Sequence, residues 1–341
     1  MNYQFYLGID VGKSSFDFAL IDEEGTIHLQ AEVSNTSASI AGWIIELQDL
    51  FPLINIWEKM LICMEHSGYY NALLLKHLDS RENHNIWVES ALQIKRSMGI
   101  QRGKNDKIDA LRIAEYALDL QRKARLWEPK AKNIERLSLL ISHRDRTVKN
   151  LQSLTTPLKE EAGFINQILH QEMEEISRPS IVALEKSLAE FNLRIEKILK
   201  EDIELSQQAK ILTSIPGIGS VIASKIIIAT EGFTKITNPR ALACYSGIAP
   251  FEHRSGTSIR GKTRVSHLAN KDLKKMIHLA AMVTIRKGNI MHDYYMRKVG
   301  EGKNKMSVIN AIRNKLVHIL MACIRNNTTY IKNFNHSLEI T

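Results

Sequence analysis

Apolar residues follow two different rhythms along this chain, and the change from one to the other divides it. The first third carries short apolar runs broken by turns: residues 4–10, Phe16 to Ile21, and a looser alternation from Thr26 to Val33, with Asp22-Glu23-Glu24-Gly25 between the last two. Runs of that length bounded by turn residues predict strands, here a three-stranded antiparallel meander. Ile40, Trp43, Ile44, Leu47 and Leu50 then recur at helical spacing. A strand ending at Glu65, a helix carrying Leu73, Leu74, Leu75 and Leu78, a short strand at Ile86-Trp87-Val88 and a helix from about Asp106 to Leu120 complete the region.

From Ala131 the pattern is helical. Ile134, Leu137, Ile141, Val148, Leu151 and Leu158 keep a 3-4 repeat, with Arg144 and Thr155 as polar breaks. A stricter run, Ile181, Leu184, Leu188, Phe191, Ile195 and Ile198, starts after Pro179 and is interrupted by Asp202. Apolar residues every three to four positions predict helices seamed together as a coiled coil or helical hairpin, with no catalytic groups in it. Leu212-Thr213-Ser214-Ile215-Pro216-Gly217-Ile218-Gly219 then opens a last, mainly helical region as a helix-hairpin-helix. Its glycines permit a tight turn with positive φ, and backbone N–H groups at the next helix's start can hold a phosphate. Two helices merely packed through a glycine-rich turn would read the same.

These patterns predict an α/β plus α protein in three parts: an α/β domain over 1–127, a helical spacer over 128–210 and a C-terminal domain over 211–332. Three strands, helix, strand, helix, strand, helix is the ribonuclease-H-like order, although strand and helix alternation by itself fits many α/β folds. What narrows it is the placing of four acids. Asp10 follows Leu7-Gly8-Ile9 and Glu65 follows Leu61-Ile62-Cys63-Met64, so each ends an apolar strand. Asp106 and Asp109 stand three apart on a predicted helix and share a face. Carboxylates at strand ends and on one helix face build an oxygen-rich site for Mg²⁺, with Mn²⁺ as the alternative, and two such ions can run phosphoryl transfer. Singly, each acid has an ordinary reading. Glu65 could be a surface acid, Asp106 a helix cap and Asp109 a first-turn acid favoured by the helix dipole. Asp10-Val11-Gly12-Lys13 also resembles the opening of actin-like sugar kinases, but the second phosphate loop and Gly-Gly adenosine motif those proteins need are missing.

Composition sharpens the choice of substrate. The 341 residues carry a net charge of +9, and between Pro250 and Lys315 there are fifteen Lys and Arg against four Asp and Glu. A basic segment of this kind points to phosphate backbones, unless it is only a solvated face. Within it, Arg254-Ser255-Gly256-Thr257-Ser258-Ile259-Arg260-Gly261-Lys262-Thr263-Arg264 sets a serine beside a glycine among guanidinium groups. That is how a nucleophile against a phosphodiester would be built, and equally how a non-covalent phosphate-binding loop would be. No apolar run reaches the roughly 18 residues of a membrane span, no signal peptide opens the chain, and Cys63, Cys244 and Cys323 lack metal-type spacing. A cytoplasmic protein is expected.

Taken in order, these motifs resemble the insertion-sequence transposases that pair a RuvC-like Asp-Glu-Asp-Asp domain with a C-terminal serine domain, a family that includes Piv-type DNA invertases. Gly8-Ile9-Asp10 resembles the family's first acidic motif, Glu65-His66-Ser67-Gly68-Tyr69 its Glu-Ala-Thr-Gly segment, and Lys104-Asn105-Asp106-Lys107-Ile108-Asp109-Ala110 its Asp-x-x-Asp-Ala signature. Ile215 to Gly219 aligns with its hairpin, Ala243 to Pro250 with its Phe-Ala-Gly-Leu-x-Pro segment, and Ser255 to Gly261 with Ser-Gly-x-Ser-x-Arg-Gly. Departures are His66-Ser67 for Ala-Thr, Ala269 for Gly and Lys274 for Arg; the last weakens a bidentate phosphate grip.

The resemblance implies a recombinase of a circular mobile element in a bacterial or archaeal cell, guided in many members by a structured RNA from the element. It implies Ser255 as nucleophile, Asp10, Glu65, Asp106 and Asp109 as Mg²⁺ ligands, and nucleic-acid contacts from Gly217, Gly219, Arg254, Arg260, Lys262 and Arg264. It also implies a homo-oligomer, dimer or tetramer, in which acids of one subunit meet the serine of another. Two rivals stay open on sequence: a metal-dependent junction nuclease that uses water, and a non-catalytic nucleic-acid-binding protein.

Overall fold

The structure is a computed structural model that describes residues 3–52, 54–79, 85–97, 106–255, 259–265 and 268–331, with the backbone but not the side chains of Asp106 and of residues 252–264. The chain forms two compact units, 1–129 and 130–341.

Among its described residues the first unit is built on a five-stranded mixed sheet. Strands β1 (Phe5–Val11), β2 (Ser15–Asp22) and β3 (Ile27–Ser34) run antiparallel, while β4 (Met60–Glu65) and β5 (Asn85–Glu89) continue parallel from β1, in the order β3-β2-β1-β4-β5. Helices α1 (Ser37–Asp49), α2 (Ile56–Lys59), α3 (Asn71–Asp79), α4 (Ala91–Ser97) and α5 (Asp106–Leu120) join or close the sheet. Because side chains alternate along a strand, one set of positions faces each layer. Leu7, Ile9, Phe16, Phe18 and Leu20 pack with Trp43 of α1 and Leu74 of α3, and the Phe16 and Trp43 rings meet edge to face at 5.2 Å. Tyr6, Ile21, Leu61, Cys63 and Trp87 pack on the other side against Ile113, Ala114 and Ala117 of α5. The meander, the alternation of α1, α3 and α5 with β4 and β5, and the bounds of α5 agree with the sequence pattern, which leaves out the short helices α2 and α4. Leu50 does not join the α1 face: it follows the helix as its C-cap and lies largely exposed.

Among its described residues the second unit is helical apart from one ribbon. Helices α6 (Lys132–Glu161) and α7 (Gln167–Glu201) run antiparallel, linked by Asn133 to Asp202 at 2.8 Å, Arg144 to Asn192 at 2.7 Å and His170 to the Leu158 carbonyl at 2.8 Å. The sequence starts the second of these after Pro179, but α7 begins twelve residues earlier, capped by Asn166. Pro179 lies on the solvent side, as does Pro157 in α6, so each removes one backbone bond without disturbing the seam. Ile134, Leu137, Ile141, Ile195, Ile198 and Leu199, at the open end of this hairpin, share a core with the following helices. Those are α8 (Ile203–Thr213), α9 (Ser220–Thr230), α10 (Pro239–Tyr245), α11 (Lys271–Thr284), α12 (His292–Gly300) and α13 (Lys305–Arg325). Strands β6 (Pro250–Ser255) and β7 (Ile259–Val265) form the ribbon between α10 and α11.

Helix α13 is long and apolar enough to cross a membrane by length and composition, although Arg313 and Lys315 interrupt its apolar run. Its Ile312, Leu316, Val317 and Leu320 nevertheless form part of the second core, and its buried Arg313 bonds His278 of α11 at 3.0 Å, which is how the central helix of a packed unit is built. Lys225 of α9 is also buried and ties two others, bonding Asp145 of α6 and, at 2.6 Å, Asp272 of α11.

Candidate active site

The register of the sheet aligns more acids than the sequence singles out. Asp10 stands opposite Asp17, Asp17 opposite Glu32, and Glu65 beside Glu89. The parallel pairing of Ile9 with Met64, continued by one residue, sets Asp10 beside Glu65. One row across all five strands therefore reads Glu32, Asp17, Asp10, Glu65, Glu89. Each shares strand parity with residues facing α5, such as Tyr6, Ile21, Cys63 and Trp87, so the row lies on the α5 face. Neighbouring strands are about 4.8 Å apart, and like charges that close repel unless a cation or proton intervenes.

Helix α5 is brought down onto this face by an absent side chain. A Cβ on Gly8 would lie 2.2 Å from the carbonyl oxygen of Ala110 and 2.2 Å from the amide nitrogen of Ala114. Gly8 of β1 and the alanines of α5 thus allow backbone-to-backbone approach, and the Gln30 side chain holds the start of the helix by donating to the Lys107 carbonyl at 2.7 Å. The first turn of α5 carries Asp106 and Asp109. Asp109 is half-buried and bonds Arg112 at 2.8 Å, while the Asp106 side chain lies outside the described residues. Among the described residues no three of His, Cys, Asp and Glu come close enough to hold one metal ion. The donor set is nonetheless all carboxylate, which suits a hard divalent cation. Asp10 and Glu65 are neighbours in the row, and Asp109 holds Arg112 through Oδ1, which leaves Oδ2 for a cation.

The far end of the row is closed by Glu89, which accepts from the Ser90 amide at 2.7 Å and from Tyr116 of α5. Burial, with Glu89 beside it, pushes the Tyr116 hydroxyl up to about 12, so it stays a donor. Asp17, Glu32 and Glu89 were not legible as site residues. Glu89 had a signal, since it closes an apolar run as Glu65 does; Asp17 and Glu32 had only strand parity.

The turn after β4 is fixed by two asparagines. Buried Asn71 donates to the Glu65 carbonyl at 2.8 Å and accepts from the Ser67 amide at 2.6 Å. Asn35 donates both to the Gly12 carbonyl, at 3.0 Å, and to the Tyr70 carbonyl, at 3.1 Å, stapling the ends of β1 and β4 together. Gly68 adopts φ of +66°, which lets the chain reverse there.

In the second unit, residues between α8 and α9 make the tight turn expected from the glycines. Gly217 has φ of +88°, and a Cβ on it would meet the Ala280 carbonyl of α11 at 2.6 Å, so this glycine is required by packing as well as by the turn. Gly219 caps α9 without a side-chain bond and has open space where a Cβ would be, leaving first-turn amides of α9 unserved by a cap. The serine segment, read from sequence as a loop, is largely ribbon: Arg254 stands opposite Arg260 and Ser255 opposite Ile259. Ile259, Thr263 and Val265 favour extended backbone, which explains the strand. Residues 256–258 lie outside the described residues, as do the side chains of Arg254, Ser255, Arg260, Lys262 and Arg264.

Comparison with known proteins defines the class. A family model described as a transposase, of the IS110 DEDD type, matches residues 7–161, and one described as the transposase IS116/IS110/IS902 family matches residues 209–296. The pilin gene-inverting proteins of Moraxella bovis and Moraxella lacunata are 27% and 26% identical to this chain, each covering 96% of it and 98% of the relative. An uncharacterised protein of insertion element IS110 from Streptomyces coelicolor is 25% identical over 48% of this chain and 40% of its own length. The protein is a DNA transposase or recombinase. It belongs to the IS110-type insertion-sequence transposase family.

Proposed function

We propose that this protein recombines a mobile DNA element with its target through a covalent serine intermediate, in a divalent-cation-dependent reaction guided by an element-encoded structured RNA. The observation that carries the reading is the row in which Asp10 and Glu65 stand side by side on the face covered by α5, whose first turn bears Asp106 and Asp109. Asp10, Glu65, Asp106 and Asp109 would hold Mg²⁺ or Mn²⁺ in a ribonuclease-H-like (RuvC-like) domain. A divalent cation, when bound, offsets charge on the phosphoryl oxygens and on the leaving oxygen.

Ser255 Oγ attacks the phosphorus, its proton passes to a base, and the bond from phosphorus to a deoxyribose oxygen breaks as that oxygen takes up a proton. In the second step a deoxyribose hydroxyl attacks the phosphoserine, and Ser255 is released protonated. The number of ester bonds is conserved, so no nucleotide triphosphate is consumed. Arg254, Arg260, Lys262 and Arg264 would hold non-bridging oxygens, and the glycines Gly217 and Gly219 of a helix-hairpin-helix would bring backbone amides to the nucleic-acid backbone. The α6–α7 hairpin serves as the spacer and oligomerisation arm of a cytoplasmic homo-oligomer.

A plasmid recombination assay with the element's own flanking sequence tests the reading. Asp10→Asn abolishes strand cleavage while DNA binding persists, and Ser255→Ala removes the covalent protein–DNA adduct. An adduct that survives Ser255→Ala refutes the nucleophile; normal recombination by Asp106→Asn and Asp109→Asn together refutes the four-acid site. Cleavage without an adduct, indifferent to Ser255→Ala, would be junction hydrolysis instead. RNA that copurifies and maps beside the gene supports guidance, and random fragments alone count against it.

A further inference from the structure

We infer that Tyr69 and Tyr70 form a stacking platform for an unpaired nucleobase next to the acid row, an inference that rests on the reading of that row as the site where a phosphodiester is cut. Both rings are exposed, Tyr69 by 67% and Tyr70 by 46%, in a turn of 3-10 helix that begins three residues after Glu65. Large aromatic side chains normally bury most of their surface in folding. Two consecutive rings left in solvent, on a segment whose backbone is firmly held, therefore call for a partner outside the fold.

The segment's rigidity and position come from the same contacts. Asn71 binds the Glu65 carbonyl and the Ser67 amide, so the chain returns to the end of β4 within six residues. Asn35 binds the Tyr70 carbonyl and the Gly12 carbonyl through one amide group, which sets the tyrosines one side chain from the loop that follows Asp10. The platform is thus located at the ends of the two strands that carry Asp10 and Glu65.

Electrostatics selects the ligand. Without a bound cation, carboxylates in register repel a phosphate backbone, so a strand arriving there needs affinity that does not depend on charge. Base-on-ring stacking supplies that affinity for any base sequence. A splayed, unpaired base has the free face this requires, whereas a paired base inside a duplex does not. The ligand is accordingly single-stranded or locally unpaired nucleic acid, with the base of a nucleotide flanking the reacting phosphate on the tyrosines.

The test uses the full-length protein and a set of single-stranded thymidine 12-mers, each with one 5-iodouracil at a different position, bound in EDTA and again with Mg²⁺. Long-wave ultraviolet light crosslinks iodouracil to aromatic rings that stack on it, and mass spectrometry locates the adduct. The expected result is a crosslink on Tyr69 or Tyr70 confined to one or two adjacent positions. Tyr69→Ala with Tyr70→Ala should weaken binding by about tenfold or more, the size of one to two stacking contacts, with the slope of log K against log salt unchanged. Tyr69→Phe with Tyr70→Phe should bind as the unaltered protein does. Crosslinks elsewhere only, equal affinity of the alanine variant, or equal loss by the phenylalanine and alanine variants would each overturn the platform. A thermal melt of the alanine variant matching the parent excludes loss of fold as the cause; if it does not match, the crosslink position on the unaltered protein decides alone. Asp10→Asn separates this inference from the reading beneath it: it should keep the tyrosine crosslink, and if it also recombines DNA normally, the metal reading fails while the platform stands.

Discussion

A methyl group at Gly8 would fall 2.2 Å from two backbone atoms of α5, and backbone cannot step aside as a side chain can. Gly8→Ala should therefore lift α5 from the sheet, at a cost on the order of 3 kcal/mol, and displace the turn bearing Asp106 and Asp109. Chemical denaturation should show a lower midpoint, and metal-dependent cleavage should fall further than the unfolded fraction explains. Gly42 of α1, with open space at its Cβ position, is the contrasting site. Gly42→Ala should leave stability unchanged or raise it by about 1 kcal/mol. Equal losses at both positions would show that close approach of α5 is not what Gly8 provides. The sequence singled out Gly8 only as part of Gly8-Ile9-Asp10; the reason for the glycine lies across the fold, 102 positions on at Ala110.

At the scale of elements, Asp202 is a junction. It ends α7 and caps α8, accepting from the Leu205 amide at 3.1 Å and from the Asn133 side chain of α6 at 2.8 Å. The bond from Asn133, then that from Leu205, holds its carboxyl below the usual range. A carboxylate with a lowered folded-state pKa contributes stability above its unfolded value, about 4, and that contribution is lost as pH falls through the folded value. Asp202→Ala should then cost about 1 kcal/mol at pH 7, and the gap to the parent protein should narrow below about pH 4. Urea midpoints measured across pH 2.5–7 (a range chosen to span about 4) check this, and a gap that stays constant would mean the carboxylate charge is irrelevant. The break at Asp202 was legible in sequence as a gap in the apolar repeat. Helix α7 running through Pro179 was not, because the penalty of one lost backbone bond is set by where the ring faces, and here it faces solvent.

Across the whole molecule, charge is distributed unevenly: a basic stretch over 250–315 in one unit, and a row of acids in the other. Affinity for DNA should fall steeply with salt, each phosphate contact adding about 0.9 to the slope of log K against log salt. Arg260→Ala with Lys262→Ala should lower that slope by nearly 2, while Asp10→Asn should leave it or weaken binding less; titrations between 50 and 200 mM salt, the span over which such contacts lose roughly 10³–10⁵ in affinity, measure it. A slope unchanged by removing both cations would take the ribbon out of the nucleic-acid contact. Helix α13 makes the same point about context. Its composition passes for a membrane span, and its buried neighbours make it the centre of a core.

Strand and helix order, the acids that close β1 and β4, and the basic stretch around Ser255 were determined by the sequence itself, because backbone hydrogen bonding and side-chain periodicity act over a few residues. Tertiary structure alone decided that Asp17, Glu32 and Glu89 fall in line with Asp10 and Glu65, that Gly8 seats α5, and that the serine segment pairs with itself as a ribbon. Those outcomes depend on register and close approach between segments distant along the chain, which local patterning leaves undetermined.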